Sequence, residues 1–429
     1  MSNHGDQIWS AQALAYRCSV IIAEVAYYAR EETVKSSLRY GLRGEQAQGI
    51  LAPASQTEAL FGDLEKRHIM KLAIIGLANS GKTTVFNALT RGTAETAAYS
   101  SGQMEPNLAM VKVPDRRLEV LAQMFKPRKI TYADVQYVDV AGISGGGNEG
   151  GGLPPALLNY LGTADALVHV VRAFEDSTVP HPNGSVDLVR DIAAVDLELI
   201  FSDLAIIEKR LTRLNAEITK MATKDKELRV AERDLLLRLQ AALEGETPIR
   251  TVEMSEEEER MIRGYQFLTA KPMLLALNVG EAAISAPPTV SYSFRNSAVV
   301  DLCGKIEAEL SQLDDADTAS FMADLGISAP ARDVVIQRSY DLLGLVSFLT
   351  AGEDEVRAWP IRRNTPAVEA AGTIHSDIQK GFIRAETVAY NDLISAGGMN
   401  EAKKAGTVRL EGKTYIVQDG DICHFRFNK

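Results

Sequence analysis

The apolar residues of this chain follow two rhythms, and each predicts a different kind of element. Apolar-rich runs of four to six residues at 72–75, 108–113, 135–138, 167–171 and 273–277 are too short for helices. The most continuous of them predict strands buried on both faces, as in a mainly parallel sheet. Between the last two runs lies a charged stretch with a helical stripe: Leu204, Ile207, Leu211, Leu214, Ile218 and Met221. The stripe breaks at 222–226 and returns at Leu228, Ala231, Leu235, Leu239 and Ala242, which predicts two helices folded back as an antiparallel hairpin.

The last ninety or so residues change character. Short runs at 356–359, 382–388, 407–410, 413–417 and 423–427 predict strands, Glu411-Gly412 and Asp419-Gly420 supply turns, and one helix fits at 367–379. A strand pair, a helix and further strands in so short a length predict a small β-grasp module. The first 69 residues carry no recognisable site, and their apolar stretch at 13–28 is interrupted by Arg17 and Glu24, so it predicts neither a membrane span nor a signal segment. They are expected to be an extension or an over-long start before a natural Met70, the rival being an amphipathic helix at 21–28. The expected organisation is an extension at 1–69, a nucleotide-binding domain at 70–200 with 266–340, a helical insertion at 201–265 and a β-grasp domain at 341–429.

Chemistry enters at Gly76-Leu77-Ala78-Asn79-Ser80-Gly81-Lys82-Thr83, directly after the first apolar run and before the helical spacing of Thr84-Val85-Phe86-Asn87-Ala88-Leu89. The pattern G-x-x-x-x-G-K-[ST] wraps backbone N–H groups around a polyphosphate, with Lys82 on the outer phosphates and the Thr83 hydroxyl on Mg²⁺. Asn79, Ser80, Gly81 and Thr84 complete the expected cradle. The run at 135–138 ends in Asp139-Val140-Ala141-Gly142, where the carboxylate is placed to hold Mg²⁺ through water and the Gly142 amide to approach a γ-phosphate. The polar segment 91–102 predicts a mobile loop, and the glycine-rich run at 144–152 a second switch that a ligand must order.

Guanine-nucleotide switches carry N-K-x-D at the strand end that reads the base; here the place reads Asn278-Val279-Gly280-Glu281. A carboxylate poised for the guanine N1–H gains nothing from adenine, so the longer Glu281 and the missing lysine predict ATP over GTP, with Asn278, Val279 and Glu281 at the base. Ile143 stands where Ras-like switches hold the glutamine that orients water, which predicts slow intrinsic hydrolysis.

Composition is that of a globular protein, 46% hydrophobic and 24% charged, and the net charge of −11 excludes a surface wholly committed to nucleic acid. No sequence-specific DNA binding is expected. Lys209, Arg210, Arg213, Lys220, Lys224, Lys226, Arg229 and Arg233 stud the hairpin, either as a solvated face or as a local basic surface. Cys18, Cys303 and Cys423 form no C-x-x-C pair, so neither a disulfide framework nor zinc is indicated and a reducing, cytoplasmic setting follows. His169, within an apolar run, reads as a core histidine rather than a general base. His375 and Lys380 read as surface residues, and Cys303 as a packing residue.

Taken together, GLANSGKTTVFNAL at 76–89, EPNLAMVKVPD at 105–115, YVDVAGI at 137–143, HVVRAFED at 169–176, the base motif, VRAWPI at 356–361, GTIHSDIQKGFIRAETV at 372–388 and EGKTYIVQDGD at 411–421 resemble one family. That family is the Obg-like ATPases of the YchF type, within the translation-factor-related P-loop GTPases, and the likeness runs from Met70 to the C-terminus. The resemblance implies a Ras-like P-loop α/β domain with a helical insertion, a C-terminal TGS module of β-grasp fold, ATP preferred over GTP, an aliphatic residue in the water-positioning place, and a link to ribosomes and RNA. It also implies a K⁺ ion near Asn79. Where family members place a threonine that reaches Mg²⁺ this chain has Gln103, whose amide oxygen is a less compact donor, and the run at 145–152 lacks the usual lysines. The expected function is a Mg²⁺-dependent ATPase switch acting on translation. The rivals are a nucleotide-sensing regulator with incidental turnover and a conventional ribosome-associated GTPase; the oligomeric state is not specified.

Overall fold

The computed structural model describes residues 70–92, 106–140, 153–219, 223–313, 315–325, 327 and 329–428. The expectations placed on 1–69, on the loop at 93–102, on Gln103, on Gly142 and Ile143 and on the glycine run at 144–152 lie outside the described residues.

The first sheet contains β1 (Lys71–Ile75), β2 (Asn107–Lys112), β4 (Asp134–Asp139), β5 (Ala166–Ala173), β6 (Met273–Val279) and β7 (Ser297–Leu302), in the order β2-β4-β1-β5-β6-β7. Every neighbouring pair is parallel except β2 with β4. β1, β5 and β6 are buried almost end to end, because a parallel sheet is covered by helices on both faces. β2 differs: as an edge strand it leaves Leu108 and Met110 exposed at 55% and 46%.

The helices of this part are α1 (Lys82–Thr90), α2 (Arg116–Phe125), α3 (Pro155–Thr163), α4 (Leu188–Ile218), α5 (Thr223–Glu244), α6 (Glu256–Ile262), α7 (Gly304–Leu310), α8 (Asp315–Asp324) and α9 (Ala331–Leu342). Val85, Leu89, Val335 and Tyr340 of α1 and α9 pack on Leu72 and Ile74 on one face of the sheet. Leu157 and Leu161 of α3 and Val195 and Leu199 of α4 pack on Ile75 and Leu167 on the other.

α4 and α5 form the predicted hairpin, with Ile207, Leu211, Leu214 and Ile218 against Leu235, Leu236, Leu239 and Leu243 in a core of its own. α4 runs unbroken through residue 201 from its Asp187 cap, and the break expected at 222–226 is already helical from Thr223. The return stripe is rotated as well: Leu228 is 62% exposed and Ala231 lies outside, while Leu236 and Leu243 are buried. Arg210 and Arg229 turn inward on one buried carboxylate, Glu232, at 2.8 and 2.9 Å, so the basic surface is smaller than its sequence count suggests. Burial alone would raise the pKa of Glu232, but hydrogen bonds from Arg210, Tyr265 and Arg229 outweigh it and bring it down to about 2.

The second sheet has the order β11-β10-β12-β8-β9-β3, from β8 (Leu345–Ala351), β9 (Glu355–Arg362), β10 (Phe382–Ala389), β11 (Arg409–Glu411) and β12 (Asp421–Phe427) plus β3 (Lys129–Thr131). β8 and β9 form a hairpin and β12 returns parallel to β8. Across one face α10 (Ala367–Ile374) packs Ala367, Ala370 and Ala371 on Phe348, Trp359 and Phe425, the β-grasp arrangement the pattern predicts. The helix expected at 367–379 is two, α10 and α11 (Ser376–Lys380), parted at His375, whose Nδ1 accepts from the Asp377 N–H at 3.1 Å. The strand expected at 413–417 is reduced to a single bridge between Ile416 and Pro366. Two further helices, α12 (Tyr390–Ala396) and α13 (Met399–Lys404), follow β10.

The two sheets share a core. Val356, Ala358, Val388 and Ile422 of the second, with Leu393 of α12 beside them, belong to the same buried cluster as Leu72 of the first and Val85 and Leu118 of α1 and α2. β3, contributed by the nucleotide-binding part, pairs in parallel with β9, and Arg117 of α2 reaches Asp419 at 2.7 Å. Inside, the Tyr137 hydroxyl donates to Ser339 Oγ at 3.0 Å.

Leu214, fully buried in the hairpin core, provides the test of that packing: Leu214→Ala is expected to cost about 2–5 kcal/mol in urea unfolding followed by helical circular dichroism. A loss below about 1 kcal/mol would contradict the assignment of Leu214 to a close-packed interior.

Candidate nucleotide site

The glycine-rich loop joins the C-terminal end of β1 to the start of α1. β1 lies between β4 and β5 near the centre of the sheet, the region of a parallel α/β sheet where ligands bind. Two glycines permit its path. Gly76 has φ +149° and a Cβ there would stand 2.4 Å from the Val170 carbonyl oxygen, while Gly81 has φ +89° and a Cβ would meet Asn278 Nδ2 at 2.2 Å. Asn79 is left-handed too, with φ 60°, and its Nδ2 donates to the Pro180 carbonyl at 2.9 Å. Among the described residues no side chain caps α1. The first-turn N–H groups of Lys82, Thr83 and Thr84 therefore remain directed into the loop, where the helix dipole favours an anion.

Lys82 is buried and curls over the loop, its Nζ donating to the Leu77 carbonyl at 2.8 Å. Burial pulls its pKa down to about 8, against the opposing charge of Asp139. Thr83 Oγ1 donates to Asp139 Oδ2 at 2.9 Å, and Asp139, at the end of β4, is itself buried beside Asn107 of β2. Burial raises the Asp139 pKa, while hydrogen bonds from Thr83 and Asn107 and the Lys82 charge oppose the rise. A hydroxyl and a carboxylate in contact are hard oxygen donors of the kind Mg²⁺ takes, so this corner suits that ion.

At the base end Asn278 is buried with both amide ends engaged: Nδ2 donates to the Ser80 carbonyl and Oδ1 accepts from the Gly304 N–H, each at 3.0 Å. The side chain that sequence reasoning placed on the base also fastens the loop to the start of α7, and this uses only one of its two Nδ2 hydrogens. Val279 ends β6 in the interior, whereas Glu281 faces outward and meets Lys305 Nζ at 2.6 Å. Sequence reasoning missed Phe174. Its ring edge lies 4.0 Å from the Cβ position of Gly81 and its Cβ 3.4 Å from that of Gly280, so it walls the opening between loop and base motif. Arg172 stacks on that ring, its guanidinium 4.6 Å from the centroid, and donates to the Phe174 carbonyl at 3.1 Å. An aromatic residue in HVVRAFED just past a strand end was the available signal.

Beneath the loop, a cavity of about 10 Å³ is lined by Ser80, His169, His181 and Asp191 among others. Ser80 Oγ and His169 Nδ1 are buried without a hydrogen-bond partner among the described residues. Burial, reinforced by the Lys82 charge, pulls the His169 pKa down to about 3, in keeping with a neutral core histidine. His181, which the sequence did not single out, donates from Nε2 to Asp191 at 3.0 Å while its Nδ1 accepts from the Asn183 N–H at 3.1 Å.

Loop, sheet order and the Thr83–Asp139 corner define a P-loop nucleoside triphosphatase fold of the GTPase type. Comparison with known proteins agrees: residues 71–201 match the family described as "50S ribosome-binding GTPase", and 345–428 match the YchF GTPase C-terminal family, described as "Protein of unknown function (DUF933)". The Ribosome-binding ATPase YchF of Bacillus subtilis is 44% identical over 363 residues, 83% of this chain and 98% of the relative. Obg-like ATPase 1 of Caenorhabditis elegans is 36% identical over 379 residues, 86% of this chain and 94% of the relative. The solved structure of the Schizosaccharomyces pombe YchF GTPase superposes with a TM-score of 0.73 at 30% identity, covering 83% of this chain and 97% of that one. This chain belongs to the YchF/Obg-like ATPase family. Among the described residues no helix is long and apolar enough to cross a membrane.

Because free Lys82 titrates near 8 and a bound polyphosphate favours its charged form, nucleotide binding is expected to take up a proton above that pH and to weaken as pH rises further. Calorimetry at alkaline pH in buffers of differing ionisation enthalpy measures the uptake. Zero proton exchange would contradict the assignment of Lys82 to the phosphates.

Proposed function

We propose that this protein is a Mg²⁺-dependent ATPase that prefers ATP to GTP and acts as a slow, nucleotide-driven switch on ribosomes in the cytoplasm. The observation that carries the reading is the phosphate loop locked by Asn278 to a base motif ending in Glu281 instead of aspartate. Lys82 neutralises the β- and γ-phosphates, with the N–H groups of Ser80 to Thr84 around them. Thr83 and Asp139 hold Mg²⁺, joined by Gln103, and the Gly142 amide senses the γ-phosphate. Asn278, the Val279 backbone and Glu281 contact adenine, with Phe174 walling the opening beside them. The Asn79 amide oxygen is the atom offered to K⁺, its N–H being spent on Pro180. Ile143 cannot orient water, so hydrolysis stays slow until a partner supplies that function.

Ribosome binding rests on the names of the relatives, the Bacillus subtilis protein being a Ribosome-binding ATPase. Engagement of the γ-phosphate through Gly142 is the event that changes the surface offered to ribosomal RNA and protein. Ile143 also favours a second reading, in which ATP occupancy is the signal and turnover is incidental.

Lys82→Ala removes a charge-assisted contact worth about 1.5–3 kcal/mol and is expected to weaken ATP binding about 10- to 100-fold in titration calorimetry. Wild-type protein binding GTP more tightly than ATP would overturn the base assignment. Co-sedimentation with ribosomes under ATP, ADP and no nucleotide is expected to differ among the three states. A variant that binds but does not hydrolyse ATP separates the readings, because only an obligatory ATPase loses function in it.

A further inference from the structure

We propose that Lys305 is a specificity-determining residue, its ammonium occupying the Glu281 carboxylate that guanine would otherwise use. The inference rests on the adenine-preferring reading above. Glu281 opens the turn after β6 and Lys305 is the second residue of α7; the two side chains meet at 2.6 Å with 54% and 69% of each exposed.

The pairing is imposed by the backbone as well as by two long side chains. Asn278, three residues before Glu281, accepts from the N–H of Gly304, one residue before Lys305, at 3.0 Å. That junction has little room to shift, since a Cβ on Gly304 would stand 3.1 Å from Asn278 Oδ1 and 3.4 Å from Thr84 Cγ2. One buried amide therefore sets the spacing of both segments that carry the pair. Phe174 Cβ lies 3.4 Å from the Cβ position of Gly280, so the pair begins one residue beyond the segment that this ring walls.

Guanine presents N1–H and a 2-amino donor to a carboxylate, whereas adenine presents a lone pair at N1. A bare Glu281 carboxylate attracts the first and repels the second. With Lys305 on Oε1, the pair carries no net charge and its acceptor capacity toward guanine is reduced. Exposed ion pairs of this kind are modest, so the contribution to base choice is at most about fivefold.

The test is displacement of a fluorescent nucleotide by ATP and by GTP from the full chain, at low ionic strength because salt screens exposed charges. Wild type, Lys305→Met, Glu281→Gln and the double variant are compared. Lys305→Met is expected to move the ATP-to-GTP affinity ratio toward GTP by about two- to fivefold, and the shift is expected to vanish in the double variant, which lacks the carboxylate. If wild type prefers ATP and Lys305→Met leaves the ratio unchanged, or if the double variant keeps the shift, the role of Lys305 is overturned while the adenine reading stands. If wild type shows no preference for ATP, the reading itself falls and the inference with it.

Discussion

The site depends on a single buried amide. Asn278 satisfies the Ser80 carbonyl with one end and the Gly304 N–H with the other, and thereby ties three separate stretches of chain together at one point. Without it a donor and an acceptor would be left unpaired in a buried place, which costs more than either hydrogen bond contributes. Gly81 has to be glycine because the same amide lies 2.2 Å from where a Cβ would stand. The glycine-rich loop and the segment proposed to read the base are thus joined through one residue, so neither end can move independently of the other.

From that point order spreads through β4. Asp139 at its end faces Thr83, while Tyr137, two residues earlier, reaches through the core to Ser339 on α9. α9 leads directly into β8, and Tyr340 on it meets Ser347 Oγ at 2.7 Å. A displacement at the Thr83–Asp139 corner therefore has a packed and hydrogen-bonded route into the second sheet. The Arg117 link from α2 to Asp419 provides a parallel one at the surface.

Much of this was legible in sequence because the relevant forces are local. β5 and β6 are uninterrupted apolar runs, and the phosphate loop needs its glycines in fixed places, so both declare themselves. The Asn278 clamp did not: the base motif is visible in sequence, but the reach of its asparagine across 198 residues to Ser80 is not. The rotated stripe of α5 was misread because Leu228 is apolar yet exposed, whereas Glu232 is charged yet buried and held by two arginines. β3, three residues long, carries no periodicity, and its existence depends entirely on a partner more than two hundred residues away. The single helix expected at 367–379 was divided by His375, whose side chain caps its own successor, a role that periodicity does not see.

That short third strand also limits how the molecule can be taken apart. Lys129, Ile130 and Thr131 pair with Glu355, Val356 and Arg357, and Thr131 Oγ1 donates to Glu355 at 2.5 Å. A fragment cut at the apparent boundary near residue 341 would keep the whole β8–β9 hairpin but strip its outer flank, leaving backbone groups of β9 open to any passing chain. The C-terminal module matches a family of its own at 345–428 yet borrows its outermost strand from the other part of the chain, so a truncation there bares a flank able to pair with foreign strands.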